Sequence, residues 1–256
     1  MFGRQDSGFL AGIPPVTRNL LIINVLIWLV EVLVPGFGGT LLRLGGLHYF
    51  TADSFNPLQP VTYMFLHSQG SPLHLLFNMF SLWMFGRFLE RVWGSGRFLI
   101  FYFVCGIGAA IVQEAVWALS WERSYISAIA SQNLITYDHA REMVQAALRA
   151  SDPQLLSAME MFKNHYITIG ASGAIFGLLL GFAFVFPDMP MYLFFIPVPI
   201  KAKYMVAGYA VIEFFLGVSH SADTVAHFAH LGGLLFALPI LLYWKKKGTL
   251  HGNGFY

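Results

Sequence analysis

Long apolar stretches separated by shorter polar segments dominate this chain. Crossing the hydrocarbon core of a bilayer takes about 20 apolar residues, with a range of roughly 17–25. We predict a membrane-spanning helix in each of six stretches: 19–35, 72–89, 98–119, 166–186, 204–219 and 225–244. The first stretch has no small-residue cleavage site after it and is followed by further spans, so we expect an anchor and not a signal peptide.

The segments between the spans differ in character. Residues 36–71 form a long loop rich in Gly, Pro and aromatic residues, which we expect to lie partly in the membrane interface. Segment 121–165 carries charges of both signs, and its Ala/Met/Leu pattern between 139 and 162 predicts an amphipathic helix. Residues 189–200 are apolar but contain three prolines, so we expect them at the interface or as an extension of the fifth span.

Basic residues set the expected orientation, because cytoplasmic loops carry an excess of Lys and Arg. With six spans, four basic groups fall on the same side of the membrane: Arg4 with Arg18, Arg87 with Arg91 and Arg97, Lys201 with Lys203, and Lys245 to Lys247. We therefore predict both termini in the cytoplasm, with 36–71, 121–165 and 220–224 on the opposite side.

The composition excludes several classes of protein. Charged residues make up only 11% of the chain, against about 25% in soluble domains. A net charge of +2 gives no nucleic-acid footprint, and Cys105, the single cysteine, excludes an internal disulfide and a thiolate metal site. We expect one membrane domain at 19–244 that contains 121–165 as an extracytoplasmic insertion, with cytoplasmic tails at 1–18 and 245–256.

Two short polar motifs lie inside apolar stretches, Gly170-Ala171-Ser172-Gly173 and Ala229-His230-Leu231-Gly232-Gly233. A hydroxyl and an imidazole at membrane depth are costly, which indicates chemistry more than packing. Spans four and six run in the same direction, so Ser172 and His230 both lie roughly 8–10 Å below the outer surface. The pattern predicts a serine nucleophile beside a histidine base.

Small residues recur at every fourth position beside both motifs. They are Gly173, Gly177 and Gly181 in span four, and Ala229, Gly233 and Ala237 in span six. Such stripes allow helices to approach closely in a membrane. Helix packing alone is one interpretation of them, but it does not explain the adjacent serine and histidine.

His74 and Asn78 lie one helical turn apart in span two, near the outer third of the membrane. A tetrahedral intermediate needs hydrogen-bond donors for its oxyanion, and these side chains are candidates. The spacing by itself is also typical of a polar packing pair. Three polar positions at one depth favour a shared site.

Together these motifs resemble those of rhomboid intramembrane serine proteases. The matching residues are His74-Leu75-Leu76-Phe77-Asn78, then Leu89-Glu90-Arg91-Val92-Trp93-Gly94-Ser95, and the two motifs around Ser172 and His230. The resemblance covers about residues 19–244. It implies an all-α bundle of six transmembrane helices and serine endopeptidase activity on transmembrane segments of other membrane proteins, with no cofactor and no metal.

The resemblance also implies catalytic roles. Ser172 would be the nucleophile and His230 the general base, as a dyad without an aspartate. His74, Asn78 and the backbone amide of Ser172 would form the oxyanion hole.

Supporting parts follow from the same resemblance. Gly170 and Gly173 flank the nucleophile, and Phe176 stands where an aromatic residue, usually Tyr, stacks on the base. Loop 36–71 would correspond to the family's membrane-embedded first loop, and span five with turn 220–224 to its gate and cap. The long insertion and the lack of a clear Trp-Arg pair in the first loop depart from the common pattern.

His227 competes with His230 for the role of base. Aligning the family's Ala-His-x-Gly-Gly motif to Ala229–Gly233 keeps both glycines, whereas alignment to Ala226–His230 places His230 at a glycine position. We therefore predict His230 as the base and His227 as a residue at the mouth of the site or the interface.

The sequence is also compatible with three other functions. One is a catalytically inactive rhomboid-like protein that binds membrane clients, although both Ser172 and His230 are present. Another is a haem or metal protein that uses His67, His74, His227 and His230, since His is the commonest metal ligand. The third is a small transporter with Glu31, Glu114 and Glu213 along its pathway, although paired broken helices in two related halves are not evident.

The interpretation that we favour is an intramembrane serine endopeptidase. Its partners would be transmembrane protein substrates and the lipid bilayer. We expect it in a bacterial plasma membrane, with the active site open to the extracytoplasmic side.

Overall fold

Helices lie along most of the chain in the computed structural model, which describes residues 12–193, 196–219 and 226–252. They are α1 (Pro15–Leu33), α2 (Phe37–Gly45), α3 (Gln59–Thr62), α4 (Pro72–Ser81), α5 (Arg87–Trp93), α6 (Ser95–Gln132), α7 (Tyr137–Arg149), α8 (Pro153–Lys163), α9 (Ser172–Val185), α10 (Ala202–Ser219) and α11 (His227–Lys246). The cap turn predicted at 220–224, and the outermost parts of both predicted tails, lie outside the described residues.

Several helices have the length and composition of membrane spans. Among the described residues, four helices are long and apolar enough to cross a membrane, namely α1, α6, α10 and α11. The 14-residue α9 is apolar but shorter. Between α4 and α5 the helix continues through one wider π-helical turn, Leu82–Gly86, so helix extends from Pro72 to Trp93, about 33 Å at 1.5 Å per residue.

The described part of the chain is mostly helical, as expected, and it also contains two short strand pairs. Strand β1 (Leu47–His48) pairs antiparallel with β2 (Ile167–Thr168), and β3 (Pro190–Leu193) pairs antiparallel with β4 (Ile196–Lys201). The prolines of 189–200 lack amide hydrogens and disfavour helix, but an isolated two-stranded ribbon tolerates them on its open edges. This segment is therefore a hairpin and not an extension of the fifth span.

The boundaries of the third and fourth spans also differ from the prediction. Helix α6 continues well past 119, to Gln132. Helix α9 begins only at Ser172, because the residues from 166 onward include β2. Ser172 is thus the first residue of its helix and not a residue six positions inside it.

The insertion contains two helices where one was predicted at 139–162. Ser151 has a positive φ of 51°, and the side chain of Asp152 accepts a hydrogen bond from the amide of Gln154, so α7 ends and α8 begins at this point. The end of α6, α7 and α8 enclose a small apolar core of their own: Tyr125, Ile126, Ala130, Ala140 and Val144.

The insertion holds the loop 36–71 through hydrogen bonds. Glu160 Oε1 accepts from the amide of Asp53 at 2.8 Å, and Asn164 Oδ1 accepts from the amide of Ser54 at 3.1 Å. Strand β1 in the loop also pairs with β2, which follows the insertion directly. The insertion and the first loop therefore form one connected layer beside the helices.

The helices α6, α9 and α11 form the centre of the molecule. A Cβ on Gly233 would overlap the backbone oxygen of Gly173, and a Cβ on Gly177 would lie 3.3 Å from the backbone oxygen of Gly233. The close approach predicted from the small residues is confirmed at these positions. Gly181 instead faces Trp93, which a Cβ would meet at 2.7 Å.

Glu90, in the motif Leu89-Glu90-Arg91-Val92-Trp93-Gly94-Ser95, joins α5 to the start of α1. Its buried carboxylate accepts hydrogen bonds from the amides of Val16 and Thr17 at 2.9 and 2.7 Å, and from the Thr17 hydroxyl at 2.8 Å. The Ser95 hydroxyl donates at 2.7 Å to Oε1, the oxygen that also accepts from Val16, whereas both Thr17 groups donate to Oε2. A carboxylate at a helix N-terminus satisfies amides that have no partner inside the helix.

Candidate active site

The turn before α9 determines where Ser172 lies. Gly170 has a φ of 123°, a conformation that residues with a Cβ rarely adopt. Its amide donates to the backbone oxygen of Tyr63 at 2.9 Å, and the Tyr63 hydroxyl donates to the backbone oxygen of Gly106 on α6 at 2.7 Å. The turn is thus anchored to α6, and Ser172 follows it at the N-terminus of α9.

Ser172 and His230 are in direct contact. The distance between Ser172 Oγ and His230 Nε2 is 2.8 Å. His230 lies in the first turn of α11, and the Gly173–Gly233 approach brings the starts of the two helices together. The pair has the geometry of a nucleophile hydrogen-bonded to its base.

Phe176 covers one face of the His230 imidazole. The ring centroids are 4.3 Å apart, and the planes differ by 6°. Phe176 lies one helical turn after Ser172, so α9 supplies both the hydroxyl and the stacking ring. Stacking restricts rotation of the imidazole, which favours the contact between Nε2 and the hydroxyl.

The His74 ring lies next to the turn that precedes Ser172. A Cβ on Gly170 would be 2.9 Å from His74 Nε2 and 3.7 Å from Ser172 Oγ. The amide of Ser68 donates to His74 Nδ1 at 3.3 Å, so the neutral ring carries its proton on Nε2. That nitrogen is therefore a hydrogen-bond donor next to Gly170, two residues before Ser172.

Asn78 is buried one turn further along α4. Its amide nitrogen donates to the backbone oxygen of His74 at 2.9 Å. The amide group carries two hydrogens, so one of them remains after this bond within the helix. Asn78 is thus tied to the helix that carries His74.

Sequence reasoning missed a carboxylate at this site. Glu213 on α10 places Oε2 2.6 Å from His227 Nδ1 and 3.1 Å from His230 Nδ1. The signal in the sequence is an acidic residue inside the apolar run Val211–Gly217, because a buried carboxylate needs partners. The partners themselves come from another helix and became evident only from the fold.

These three residues are also a possible metal-ligand set. The ligand atoms of Glu213, His227 and His230 all lie within 4.8 Å of one another. His67 and His74 form a separate pair with ring centroids 5.1 Å apart, so the four-histidine site considered above does not form as one cluster. In the described structure, one carboxylate oxygen already lies between the two ring nitrogens of His227 and His230.

The two other glutamates considered for a transport pathway accept hydrogen bonds from backbone amides. Glu31 Oε2 accepts from the amide of His67 at 3.3 Å, and Glu114 Oε2 accepts from the amide of Phe50 at 2.9 Å. Burial, together with the adjacent His74, lowers the pKa of His67 to about 3, so this ring is neutral. Glu31, Glu114 and Glu213 therefore contact three different parts of the protein and do not line up as one pathway of adjacent side chains.

Comparison with known families identifies the chain. A model of the rhomboid domain matches residues 56–246, which includes Ser172, His230, His74 and Asn78. The chain belongs to the rhomboid family. It is accordingly an integral membrane protein of this family, as its apolar helices also indicate.

Two relatives carry the same family name. Rhomboid protease AarA from Providencia stuartii is 28% identical over 125 residues, which cover 44% of this chain and 41% of AarA. Rhomboid protease GluP from Bacillus subtilis (strain 168) is 50% identical over 38 residues, which cover 15% of this chain and 8% of GluP. The chain thus matches less than half the length of each of these curated relatives.

Proposed function

We propose that the protein is an intramembrane serine endopeptidase that cleaves transmembrane segments of other membrane proteins. The observation that carries the proposal is the 2.8 Å contact between Ser172 Oγ and His230 Nε2. Membership of the rhomboid family supports it, since both relatives described above are named proteases.

The proposed reaction begins with attack of Ser172 Oγ on the carbonyl carbon of the scissile peptide bond. His230 Nε2 takes the hydroxyl proton as the Oγ–C bond forms. It then gives that proton to the departing amine as the C–N bond breaks, which leaves an acyl-enzyme. Water, deprotonated by the same imidazole, hydrolyses the ester and regenerates Ser172.

The negative oxygen of the tetrahedral intermediate needs donors that are already in position. We assign the Ser172 amide, at the positive end of the α9 dipole, and His74 Nε2 to this role. The remaining amide hydrogen of Asn78 is the third donor. The hydrogen bond from Ser68 to His74 supports this assignment because it leaves the proton on Nε2.

The proposed substrates are helices, whose carbonyl groups are engaged in backbone hydrogen bonds. Cleavage should favour segments with Gly, Pro or other small residues, because these unwind more easily. The site lies at the starts of α9 and α11, and we propose that water enters there from the extracytoplasmic side.

We further propose six membrane crossings in a bacterial plasma membrane, with both termini cytoplasmic. The continuous helix from Pro72 to Trp93 and the buried α9 would be the second and fourth crossings, beside the four long helices. The basic residues between crossings support this orientation.

A purified protein in lipid vesicles with a transmembrane reporter tests the proposed activity. Wild type should cleave the reporter and Ser172→Ala should not, while Ser120→Ala is the matched control. The Ser120 hydroxyl donates to the backbone oxygen of Val116 within α6 and is not one of the residues that contact Ser172 or His230 in the described structure. Binding of the reporter by wild type without any cleavage would instead support the inactive client-binding protein.

A further inference from the structure

We propose that Glu213 is a positioning residue that orients His230 through its Nδ1 atom. This inference rests on the proposed function, since it extends the pair Ser172–His230 to a third group. The sequence motifs gave no role to Glu213, which lies on α10, outside the helices that carry the pair.

The two nitrogens of His230 have different neighbours. Nε2 lies 2.8 Å from Ser172 Oγ, and Nδ1 lies 3.1 Å from Glu213 Oε2. A carboxylate beside Nδ1 favours the tautomer that carries its proton there, which leaves the lone pair of Nε2 toward the serine. That tautomer is the one that can accept the hydroxyl proton.

The contact between Nδ1 and Oε2 is close but not aligned as a hydrogen bond. Catalytic hydrogen bonds are often loose in free enzymes and tighten when substrate binds. A small rotation of the Glu213 carboxylate would align it with the ring N–H. His227 holds the same carboxylate oxygen from the other side at 2.6 Å.

Charge gives Glu213 a second effect during the reaction. When the serine proton reaches Nε2, the His230 ring becomes a cation and its Nδ1 proton stays on the ring. The side chains of Glu213 and His230 are only 13% and 11% exposed, so a carboxylate at 3.1 Å is weakly screened by water. The negative charge therefore stabilises the cation that forms in the transition state.

Other described groups near His230 do not supply this charge. Phe176 stacks on it, His227 meets it edge-on with ring centroids 6.4 Å apart, and His74 interacts with it electrostatically. None of these three side chains is a carboxylate, whereas Glu213 is. Its contacts with His227 and His230 also give a physical reason for an acidic residue in an apolar helix.

A purely structural role is the main alternative. In that case Glu213 would only pair with His227 and hold α10 against α11. The positioning role and the structural role can be tested separately, because Glu213 contacts His230 for the first and His227 for the second. Replacing His227 removes one contact and leaves the other in place.

The test uses the full chain in lipid vesicles with a transmembrane reporter and a fluorophosphonate probe. Glu213→Gln keeps the size of the side chain and removes its charge. We expect kcat to fall roughly tenfold to a hundredfold, part of the ~10²–10⁴ that a general base contributes, with KM nearly unchanged. Labelling of Ser172 by the probe should slow by the same factor, and Glu213→Asp should recover part of kcat.

His227→Gln is the matched control, because it removes the partner at 2.6 Å and leaves Glu213 and His230 in place. It should keep a larger share of kcat than Glu213→Gln. Equal losses in the two variants, with no added loss in the double variant, would overturn the proposal in favour of the structural role. A kcat for Glu213→Gln within about twofold of wild type would overturn it as well.

Thermal midpoints show whether each variant is folded. If Glu213→Gln does not fold, Glu213→Asp is the test variant. A lower kcat with the wild-type KM would then support the positioning role, and a change in KM alone would contradict it. A wild type that is never labelled at Ser172 would refute the proposed protease function itself. Equal labelling of wild type and Glu213→Gln would refute only the role of Glu213.

Discussion

A single backbone conformation positions the proposed nucleophile. Gly170, with its φ of 123°, turns the chain so that Ser172 begins α9 while the amide of Gly170 is bonded to Tyr63. The absence of a side chain also leaves room for the His74 ring, which a Cβ would meet at 2.9 Å. The glycine thus serves both the turn and the approach of His74.

Gly170→Ala should therefore impair the site more than the fold. Holding a non-glycine residue in such a conformation costs about 1–3 kcal/mol, and His74 must also move. We expect at least a tenfold lower kcat, of the order that displacement of an oxyanion donor gives. Gly208→Ala on α10 is the control, since a Cβ there meets no atom within 4 Å, and it should retain activity in the reporter assay.

The oxyanion assignment gives a second prediction at the level of single residues. His74→Ala and Asn78→Ala should each lower kcat by ~10²–10³, because removing one donor from an oxyanion hole has that cost. KM and the thermal midpoint should change little. If both variants cleave the reporter at nearly the wild-type rate, α4 contributes only packing.

Most residues of the proposed site could be predicted from the sequence, but Glu213 could not. Ser172, His230, Phe176 and His74 could be identified from local motifs, whose residues the helices bring together. Glu213 lies fourteen positions before His227 and contacts it across two helices, so no local spacing indicates the pair.

At the level of elements, the Glu90 carboxylate joins the start of α1 to α5. Three donors from the start of α1 and the Ser95 hydroxyl converge on one buried carboxylate. The motif around Glu90 was assigned no role from the sequence, and the structure shows that this carboxylate joins two helices.

Loss of the Glu90 carboxylate should destabilise the protein. A hydrogen bond to a charged group contributes about 1.5–3 kcal/mol, and Glu90→Ala leaves several buried donors unpaired. We expect a loss of at least about 3 kcal/mol and a clearly lower thermal midpoint in detergent. Glu142→Ala, an exposed position on α7, should leave the midpoint nearly unchanged, and equal midpoints for the two variants would contradict the role of Glu90.

Helix boundaries were harder to predict than helix contacts. The glycines at 173 and 233 indicated a close approach of two helices, because backbone packing follows directly from small residues. The end of α6 was missed because residues 120–132 alternate polar with apolar side chains and so end the continuous apolar run. Their apolar side chains pack in the small core shared with α7 and α8. The hairpin Pro190–Lys201 was missed because an apolar run does not by itself distinguish strand from interfacial segment.

At the scale of the whole molecule, the proposed orientation places the insertion and loop 36–71 on the side where the site opens. Their hydrogen bonds join Glu160 and Asn164 to the loop, so both parts must lie on the same side of the membrane. The basic end of α11 would lie on the other side.

Single cysteines test this topology. Gln145 on α7 and Lys247 after α11 are exposed, whereas the native Cys105 is buried and should not react. A membrane-impermeant thiol reagent should label Gln145→Cys in intact cells and Lys247→Cys only after the cytoplasmic side is opened. The reverse pattern would invert the proposed orientation, and labelling of both in intact cells would exclude the six-crossing topology.

The central claim is that Ser172 is a nucleophile activated by His230. Fluorophosphonate labelling of the wild-type protein, followed by mass spectrometry of its peptides, tests this claim most directly. We expect a single adduct on Ser172, which His230→Ala should abolish and His227→Ala should leave detectable. An adduct on another serine, or equal labelling of wild type and His230→Ala, would contradict it.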